Sequence, residues 1–363
     1  MPAALNRVVA SVPAGFAQSV VRWQRRHGRH DLPWQRRRDP YAVWLSEIML
    51  QQTQVATVQN YFPRFLQRFP TVRDLAAAEL DDVLALWSGL GYYRRARLLH
   101  QCAQQVVAKH QARFPGSAQE LEALPGIGRS TAAAIASLCF GERVAILDGN
   151  VKRVLTRVLA FAKDLAIAGN ERELWSRAQD LLPRRQARQL MPEYSQGLMD
   201  LGATVCRPRQ PHCRDCPLQS GCLGLASGDP LRFPHRRREI RRSSQALWLL
   251  LAINDRDETW LVKRAPTGIW AGLYCLPSFD TAEALRQAVA AGRRKSLVNG
   301  VGFVHVLTHR DLELQPVQLR VSGQRAPLAD GAWVARQALT SLGLPAPVRS
   351  LLQAPLAPLA PLV

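Results

Sequence analysis

Residues 124–138 have the sequence LPGIGRSTAAAIASL, and this stretch decides the fold of the first half of the chain. Gly126 and Gly128 flank an apolar residue, so the backbone can turn tightly and present free N–H groups where a helix begins. Such a nest attracts a phosphate oxygen without reading base sequence, and Arg129 adds a positive charge. A Gly-x-Gly pair alone is compatible with an ordinary joint between two helices. The preceding Leu-Pro and the following Ser-Thr favour a phosphate-gripping helix–hairpin–helix element.

The residues around this hairpin are helical in pattern, and the end of the chain is not. Before residue 229, apolar side chains recur every three or four positions, and Asp39-Pro40 marks a helix start. After residue 244, stretches rich in branched and aromatic residues predict strands. Strands are predicted at residues 246–253, 259–264 and 272–279, and helices at residues 281–291 and 335–342. The pattern predicts an all-α N-terminal domain followed by a smaller α+β domain.

Changes of composition predict the domain boundaries. Residues 1–228 form the helical domain, which includes a cysteine-rich loop at 206–222. Residues 229–244 hold two prolines and many arginines, which is typical of a basic linker. Residues 245–350 form the α+β domain. Residues 351–363 repeat a proline-containing triplet and predict an extended, poorly ordered tail.

The charge of the chain indicates a polyanionic partner. The 363 residues include 48 Lys+Arg and 28 Asp+Glu, which gives a formal net charge of +20. Nucleic acid is the first candidate for such a chain, although a bias towards arginine can also reflect genome composition. The composition excludes bulk disorder, and we find neither an apolar run of membrane length nor a signal peptide. The expected location is the cytoplasm of a bacterial-type cell, in association with the nucleoid and not with a membrane.

Four of the seven cysteines cluster as Cys206-x6-Cys213-x2-Cys216-x5-Cys222. A cysteine cluster in a cytosolic protein is more often a metal site than a set of disulfides. Structural zinc usually takes two separated Cys-x-x-Cys pairs, whereas this loop has one such pair with a longer spacer on each side. A compact loop of this kind can wrap a 4Fe–4S cluster, whose iron atoms each take one thiolate. Zinc and four unliganded thiols remain alternatives.

Two carboxylates have sequence surroundings that predict opposite pKa shifts. Glu47 lies in a helix whose neighbours are apolar around most of its circumference, so loss of water should raise its pKa. Asp148 follows the strand-like residues 144–147 and precedes a new helix, whose N-terminus should lower its pKa. Such a pair suits glycosidic cleavage, with one acid and one stabilising anion. Glu47 on an exposed helix face and Asp148 as a plain helix cap are the alternatives.

Together these motifs resemble a known family. The hairpin, the Asp-Gly-Asn after it and the cysteine loop resemble, in order and spacing, the endonuclease III-like superfamily of helix–hairpin–helix DNA glycosylases. WLSEIMLQQTQVATV at 44–58, GLGYY at 89–93 and ILDGNVKRVL at 146–155 narrow the resemblance to adenine DNA glycosylases of the MutY type. The resemblance covers about the first 225 residues and implies base excision repair on double-stranded DNA.

The resemblance implies roles for four residues in the chemistry. Glu47 would protonate the adenine ring and later assist water, and Asp148 would stabilise the sugar cation. Asn150 and Ser130 would line the sugar pocket. Bifunctional members carry a lysine where this chain has Ser130, and a hydroxyl cannot form an imine. The resemblance therefore implies a monofunctional glycosylase.

The resemblance also implies contacts with DNA and with the excised base. Gln52 and Tyr92 occupy positions where the family inserts side chains into the base stack, which helps to flip a base. Leu32 and Trp34 would form walls of the adenine pocket. Lys152 would contact a phosphate, together with the hairpin residues Gly126, Gly128 and Arg129. Cys206, Cys213, Cys216 and Cys222 would hold a structural 4Fe–4S cluster.

Residues 245–350 resemble the family's C-terminal domain, which has a Nudix-like fold. The metal-binding signature of Nudix hydrolases is missing, since the predicted helix at 281–291 has Glu283 as its single acidic residue. The domain would instead recognise the base opposite adenine through Thr308 and His309. Leu307 stands where the family has an aromatic residue, which puts stacking at this point in doubt. The implied substrates are duplexes with A:8-oxoguanine or A:G mispairs, bound by a monomer.

Three other functions are compatible with parts of the sequence. A bifunctional endonuclease III-like glycosylase-lyase is disfavoured by Ser130 and by the second domain. A non-catalytic iron–sulfur protein that binds DNA is disfavoured by the presence of both Glu47 and Asp148. A nucleotide-pool hydrolase is disfavoured by the missing metal-binding helix.

Overall fold

The structure is a computed structural model that describes residues 15–36, 38–235 and 242–353. In this part the chain divides into two compact units. The first comprises residues 15–76 and 101–235, and the second comprises residues 77–100 and 242–353. The sequence predicted that residues 77–100 belong to the helical domain, whereas here they group with the C-terminal residues. The other predicted domain limits stay predictions.

Helices dominate the first unit and strands dominate the second. The α-helices of the described residues are α1 Phe16–His27, α2 Pro40–Leu50, α3 Val55–Arg68, α4 Val72–Ala77, α5 Leu80–Leu86, α6 Arg94–His110, α7 Ala118–Glu122, α8 Arg129–Ile135, α9 Gly149–Val158, α10 Ala168–Asp180, α11 Ala187–Thr204, α12 Leu223–Ala226, α13 Ala282–Ala288 and α14 Ala346–Gln353. A π-helical turn, Ala136–Phe140, continues α8. Short 3₁₀ helices span Pro33–Gln35, Cys213–Asp215, Gln219–Gly221, Pro230–Arg232, Ala291–Ser296 and Arg336–Ser341. None of the described helices is both long and apolar enough to cross a membrane.

Local sequence explains where the site-bearing helices begin. Asp39 caps α2 by accepting hydrogen bonds from the backbone N–H groups of Tyr41 and Ala42, and Pro40 occupies the first turn. This start is the one predicted from the sequence. In the first unit, α1, α8, α9, α10 and α11 share a core that includes the fully buried side chains of Val20, Leu155 and Met191. Because α9 and residues 145–147 belong to that core, it fixes the position of the segment that carries Asp148.

The second unit is built on a mixed sheet. Its strands, among the described residues, are β1 Ser243–Asn254, β2 Thr259–Lys263, β3 Tyr274–Cys275, β4 Ser278–Phe279, β5 Val298–Asn299, β6 Phe303–Val306, β7 Arg310–Val321 and β8 Ala332–Val334. The central pair, β1 and β7, is parallel, with Ser243 opposite Arg310 and Asn254 opposite Val321. All other pairs are antiparallel. Apolar side chains cover both faces, with Leu249 and Leu314 on one and Leu250 and Val317 on the other.

Segment 77–100 is tied to this second unit by polar contacts. Lys263 on β2 pairs with Asp81 on α5 at 2.7 Å, and the Tyr274 hydroxyl donates to the same carboxylate at 3.2 Å. The hydroxyls of Ser88 and Tyr93 donate to the carbonyl of Leu344 at 3.1 and 2.8 Å. The segment is therefore part of the α+β unit, although it lies far away in sequence.

Several predicted elements differ from the structure. The strand predicted at 272–279 is two short strands, because Pro277 lacks the N–H that a continuous ladder needs. The helix predicted at 335–342 is the 3₁₀ helix Arg336–Ser341, and the helix predicted at 281–291 is α13 followed by a 3₁₀ turn. Residues 144–147 form no strand, and side chains accept from two of their N–H groups: Ala145 donates to Gln179, and Leu147 donates to Ser130.

The predicted linker and tail are only partly described. Within the linker, Pro230–Arg232 form a 3₁₀ turn and Ser243 already belongs to β1, while residues 236–241 lie outside the described residues. Residues 351–353, predicted as the start of the tail, end α14. The rest of the predicted tail, residues 354–363, lies outside the described residues.

Candidate active site and DNA-binding elements

A cavity of about 440 Å³ lies within the first unit and brings together residues from distant parts of the sequence. Glu47 from α2 and Asp148 and Asn150 from the start of α9 line it, as predicted. Leu32 and Trp34 form apolar wall, and the Trp34 ring packs edge-on against Phe62 at 5.6 Å between centroids. A space of this size can enclose a nucleobase and its sugar.

Glu47 is surrounded by buried residues of its own helix. Trp44, Leu45, Ile48 and Met49 are at most 3% exposed, so the carboxyl group has lost most of its water. Burial is the main cause that raises the pKa of Glu47 to about 8, and the charge of Asp148 adds to it. The predicted direction of this shift is confirmed. With its pKa raised to about 8, the group is mostly protonated at pH 7 and can serve as an acid.

Asp148 is the N-cap of α9, but its pKa shifts in the direction opposite to the prediction. Its Oδ1 accepts the backbone N–H of Val151 at 2.7 Å, and the Asn150 amide donates to Oδ2 at 3.4 Å. These hydrogen bonds favour the anion, yet burial outweighs them, and the pKa of Asp148 is raised. A helix N-terminus lowers the pKa of a carboxyl group, but the loss of water inside the cavity has the larger effect on Asp148, so the predicted lowering was wrong.

A chain of hydrogen bonds connects the cavity with the cysteine loop. Asn150 accepts from Arg153 at 2.8 Å, and Arg153 donates to the carbonyls of Cys206 and Gly202 at 2.7 and 2.6 Å. Gly202 is also where α11 comes closest to Asn150, since an added Cβ would meet the Asn150 side chain at 2.6 Å. The position of Asn150 therefore depends on the geometry of the loop.

Ser130 does not line this cavity. Its hydroxyl accepts the backbone N–H of Leu147 at 3.2 Å, so it supports the segment that leads into Asp148. The predicted role of Ser130 in a sugar pocket stays a prediction. Ser130 lies in the first turn of α8, where it accepts from a backbone N–H of residues 144–147, which pair with no strand.

The sequence reasoning missed polar residues that share the cavity. The side-chain amide of Gln35 lines it, and both its oxygen and its nitrogen are buried without a hydrogen-bond partner among the described residues. Gln196 also lines the cavity and donates at 3.1 Å to Asp200, a fully buried carboxylate that pairs with Arg29 at 2.7 Å. A single aspartate in the otherwise apolar stretch GLMDLG was the signal available in the sequence.

The predicted phosphate-binding hairpin has the expected backbone. Gly126 has a φ of 75°, Gly128 caps α8, and both are exposed, while Ile127 between them is buried. Two predicted phosphate ligands already have partners. The Arg129 guanidinium lies 4.1 Å from the centre of the Trp175 ring, and Lys152 pairs with Glu171 at 2.5 Å. Contact with DNA would require Lys152 to exchange this partly exposed partner for a phosphate.

The two predicted stacking residues lie in different units. Gln52 is exposed directly after α2 and has a φ of 57°, which is uncommon for a residue other than glycine. Tyr92 has a φ of 48° and is 47% exposed in the second unit. Its hydroxyl shares a hydrogen bond of 2.5 Å with the hydroxyl of Thr308. Thr308 and His309 form the turn between β6 and β7, and both are exposed.

The four clustered cysteines line one small cavity, together with Leu218 and Pro230. All four are free thiols, and the charges of Cys206, Cys222 and Cys213 contribute to the pKa of Cys216, which burial raises to about 12. Within the described residues, no group of three or more His, Cys, Asp or Glu side chains has the arrangement of a metal-ion site. Four clustered thiols are a donor set that suits iron or zinc.

The chain matches two family models, and their limits agree with the two kinds of architecture. The model described as HhH-GPD superfamily base excision DNA repair protein matches residues 45–178, and the NUDIX domain model matches residues 248–354. A solved thermostable thymine-DNA glycosylase is 27% identical and has a TM-score of 0.51, covering 58% of this chain and 95% of that one. Fold and acidic pocket thus define a helix–hairpin–helix DNA glycosylase of base excision repair.

Relatives of nearly full length define the family within that class. The adenine DNA glycosylase of Buchnera aphidicola subsp. Schizaphis graminum is 33% identical over 346 residues, which cover 93% of this chain and 98% of the relative. The adenine DNA glycosylase of Homo sapiens is 46% identical over 385 residues, covering 88% and 69%. The chain belongs to the adenine DNA glycosylase family. Proteins of this family normally carry a 4Fe–4S cluster.

Proposed function

We propose that this protein is a monofunctional glycosylase that removes adenine from A:8-oxoguanine and A:G mispairs in double-stranded DNA. The observation that carries the proposal is the cavity in which a carboxyl group with a pKa of about 8, Glu47, lies near a second carboxylate, Asp148. An acid that is protonated at neutral pH is what departure of a purine requires, because neutral adenine leaves far more readily than its anion.

The proposed mechanism uses the two carboxylates in sequence. Glu47 gives its proton to a ring nitrogen of the flipped adenine as the glycosidic bond breaks. Asp148, held by Val151 and Asn150, stabilises the positive charge that develops on the sugar. The ionised Glu47 then accepts a proton from the water that attacks the sugar carbon. Both residues return to their starting states, so the cycle needs no further reactant.

The walls of the cavity suit a purine. Trp34 and Leu32 supply apolar surface, and the unpartnered Gln35 amide offers one donor and one acceptor to the edge of a base. A buried amide without a partner is costly, and a bound base would satisfy it. We therefore assign the base to the Gln35 side of the cavity and the sugar to the side of Asp148.

The absence of lyase chemistry follows from the residues near Asp148. Ser130 cannot form an imine, and its hydroxyl is already bonded to the Leu147 N–H group. Lys152 is held by Glu171 and is not among the residues that line the cavity. The product is then an intact abasic site, which strand cleavage by alkali would reveal.

Cys206, Cys213, Cys216 and Cys222 would hold a 4Fe–4S cluster, which supplies a covalent cross-link for the loop and takes no part in hydrolysis. Arg157 supports the same loop from beneath, because its guanidinium donates to the carbonyls of Arg207 and Pro208 at 2.7 and 3.0 Å and to Cys206 Sγ at 3.3 Å. Four thiolate ligands around the cluster would place further negative charge beside this buried cation.

The second unit would recognise the base opposite adenine through Tyr92, Thr308 and His309. Their side chains are exposed and two of them are already hydrogen-bonded to each other. The protein would act as a monomer in the cytoplasm, where its net charge of +20 favours association with DNA.

Excision assays on A:8-oxoguanine, A:G and A:C duplexes test this function. We expect alkali-labile sites at adenine in the first two duplexes and little cleavage without alkali. Glu47→Gln should bind the A:8-oxoguanine duplex and lower the excision rate about a thousandfold. The matched control is Glu173→Gln, which changes an exposed carboxylate paired with Lys163 and should leave excision unchanged. Near-normal excision by Glu47→Gln would contradict the proposal, and so would strand cleavage without alkali.

Metal analysis tests the cluster separately. We expect about four iron atoms for each protein and a brown absorbance that is lost in Cys213→Ser. Stoichiometric zinc would contradict the cluster assignment and would leave the assignment of the active site intact.

A further inference from the structure

The loop between α5 and α6 adopts a backbone that needs support. It passes through Gly89 and Gly91, with φ values of 104° and 71°, and reaches Tyr92 with a φ of 48°. Glycine adopts such values readily, but a tyrosine does so only where its surroundings hold it. Tyr92 is also 47% exposed, so its ring has few packing partners to hold it. Polar and cation–π contacts with other residues must therefore fix this exposed side chain in its strained position.

Arg95 supplies most of these contacts. It is 9% exposed, and its guanidinium carbon lies 5.5 Å from the centre of the Tyr92 ring and 5.3 Å from that of Trp87. Its Nη2 donates to the carbonyls of Leu90 and Gly91 at 3.1 and 3.2 Å. The Trp87 indole N–H donates to the same Gly91 carbonyl at 3.0 Å. One side chain therefore holds both the backbone that enters Tyr92 and the face of its ring.

The far end of the Tyr92 ring is held by Thr308. The two hydroxyls share a hydrogen bond of 2.5 Å, and Thr308 lies in the turn of the β6–β7 hairpin. β6 packs little, since Val304 and Val306 are 59% and 61% exposed. The backbone of the turn is held, since Arg242 donates to the Leu307 carbonyl at 2.7 Å and the Ser243 N–H donates to the His309 carbonyl at 3.2 Å. The bond to Tyr92 in turn limits the orientations that the Thr308 hydroxyl can take.

We infer that Arg95 is a positioning residue for recognition of the base opposite adenine: it holds Tyr92 and, through the Tyr92 hydroxyl, orients Thr308. The inference rests on the proposed function, which gives Tyr92 and Thr308 their contact with that base. Arginine suits the position because its planar fork stacks between two rings while it donates to two carbonyls. A lysine ammonium can keep the charge but cannot make both kinds of contact.

The test compares Arg95→Lys with Arg94→Lys, its exposed neighbour on the same helix. The measured quantity is the preference for A:8-oxoguanine over A:G, taken as the ratio of the two kcat/KM values. We expect Arg95→Lys to lower this preference about tenfold and to lower the excision rate on saturating A:8-oxoguanine duplex by much less. Arg94→Lys should leave the preference unchanged.

A double-mutant cycle then tests whether the effect passes through Tyr92. Thr308→Val and Tyr92→Phe each remove one hydroxyl of the shared bond. If Arg95 acts through that bond, Arg95→Lys should change the preference little further in either background. Additive effects would overturn the inference. So would an equal loss of rate on both duplexes, because that is the signature of general structural damage.

The wild-type arm separates this inference from the proposed function. If the wild-type protein releases no adenine, the proposed function fails. If it does and Arg95→Lys keeps the wild-type preference, only the inference about Arg95 fails. The thermal unfolding midpoints of all variants are measured first. If Arg95→Lys does not fold, it is replaced by Arg95→Gln, which keeps one donor for the two carbonyls, removes the charge beside the two rings and should lower the preference at least as much.

Discussion

The active-site cavity and the exposed turn between β6 and β7, which holds Thr308, prepare their functional side chains in opposite ways. In the cavity, burial itself makes the function, since loss of water raises the pKa of Glu47 to about 8. At the β6–β7 turn, the functional side chains of Tyr92 and Thr308 are exposed, and the buried residue Arg95 fixes their orientation. The catalytic group therefore depends on the loss of water around it, whereas the recognition group depends on a buried residue that positions it.

Removing the second carboxylate is the largest change that the cavity can undergo. Asp148→Asn should lower the excision rate about a thousandfold, because no anion then faces the sugar cation. As the pH is raised, the residual rate should also begin to fall at a lower pH than the wild-type rate does, since the charge of Asp148 contributes to the raised pKa of Glu47. Single-turnover rates across pH check both effects. A residual profile with an unchanged basic limb would show that burial alone sets the pKa of Glu47.

Replacing Arg157, the buried residue that supports the cysteine loop, should have the second largest effect, on the stability of the protein. Arg157 is 2% exposed and donates to three carbonyls, so Arg157→Met leaves one buried and two partly buried acceptors without this donor. We expect the free energy of unfolding to fall by about 3 kcal/mol, measured by chemical denaturation. Arg207→Met, on the exposed side of the same loop, should cost less than about 1 kcal/mol. Equal costs for the two variants would contradict the supporting role of Arg157.

The wild-type protein itself should show a pH dependence that comes from the cavity. Excision needs the protonated form of Glu47, whose pKa is about 8, so the single-turnover rate should fall about tenfold per unit above that pH. On the acid side, the rate should fall as Asp148 takes up a proton, and its raised pKa moves that loss to a higher pH than for an ordinary aspartate. A constant rate from pH 7 to 9.5 would contradict the role of Glu47.

An exposed ion pair of the second unit should give the smallest effect. Asp81→Asn removes the pair with Lys263, whose side chains are 36% and 50% exposed, and should cost at most about 1 kcal/mol of unfolding free energy. Asp257→Asn, which breaks the comparably exposed pair with Arg336, is the matched control. A cost of several kcal/mol for Asp81→Asn alone would show that segment 77–100 depends on this one contact.

The sequence predicted the features that depend on local chemistry. The cap at Asp39 and the strand and helix character of the two halves follow from periodicity and local motifs, and the meeting of Glu47 with Asp148 follows from the family resemblance. Where the outcome depended on tertiary contacts, prediction failed. The sign of the Asp148 shift depends on how deeply the cavity buries it.

The segment around Tyr92 shows the same limit on a larger scale. Its helical periodicity is correct, but nothing local indicates that Asp81, Ser88 and Tyr93 bind partners 182 to 256 positions later in the chain. The Arg95 contacts are likewise hidden in sequence, because stacking between two rings requires the left-handed turn that brings Tyr92 back over its own helix start.

The discontinuous make-up of the second unit has a consequence for how the protein is synthesised. Segment 77–100 leaves the ribosome early, while the described part of the unit to which it belongs is not complete until residue 353, the end of α14. At about 5–20 residues per second, the interval of some 250 residues lasts roughly 10–50 s. During that time the first unit can fold around its own core, while segment 77–100 still lacks the residues of the second unit that it contacts. The nascent protein would therefore acquire its catalytic pocket well before the surface that tells it which adenine to remove.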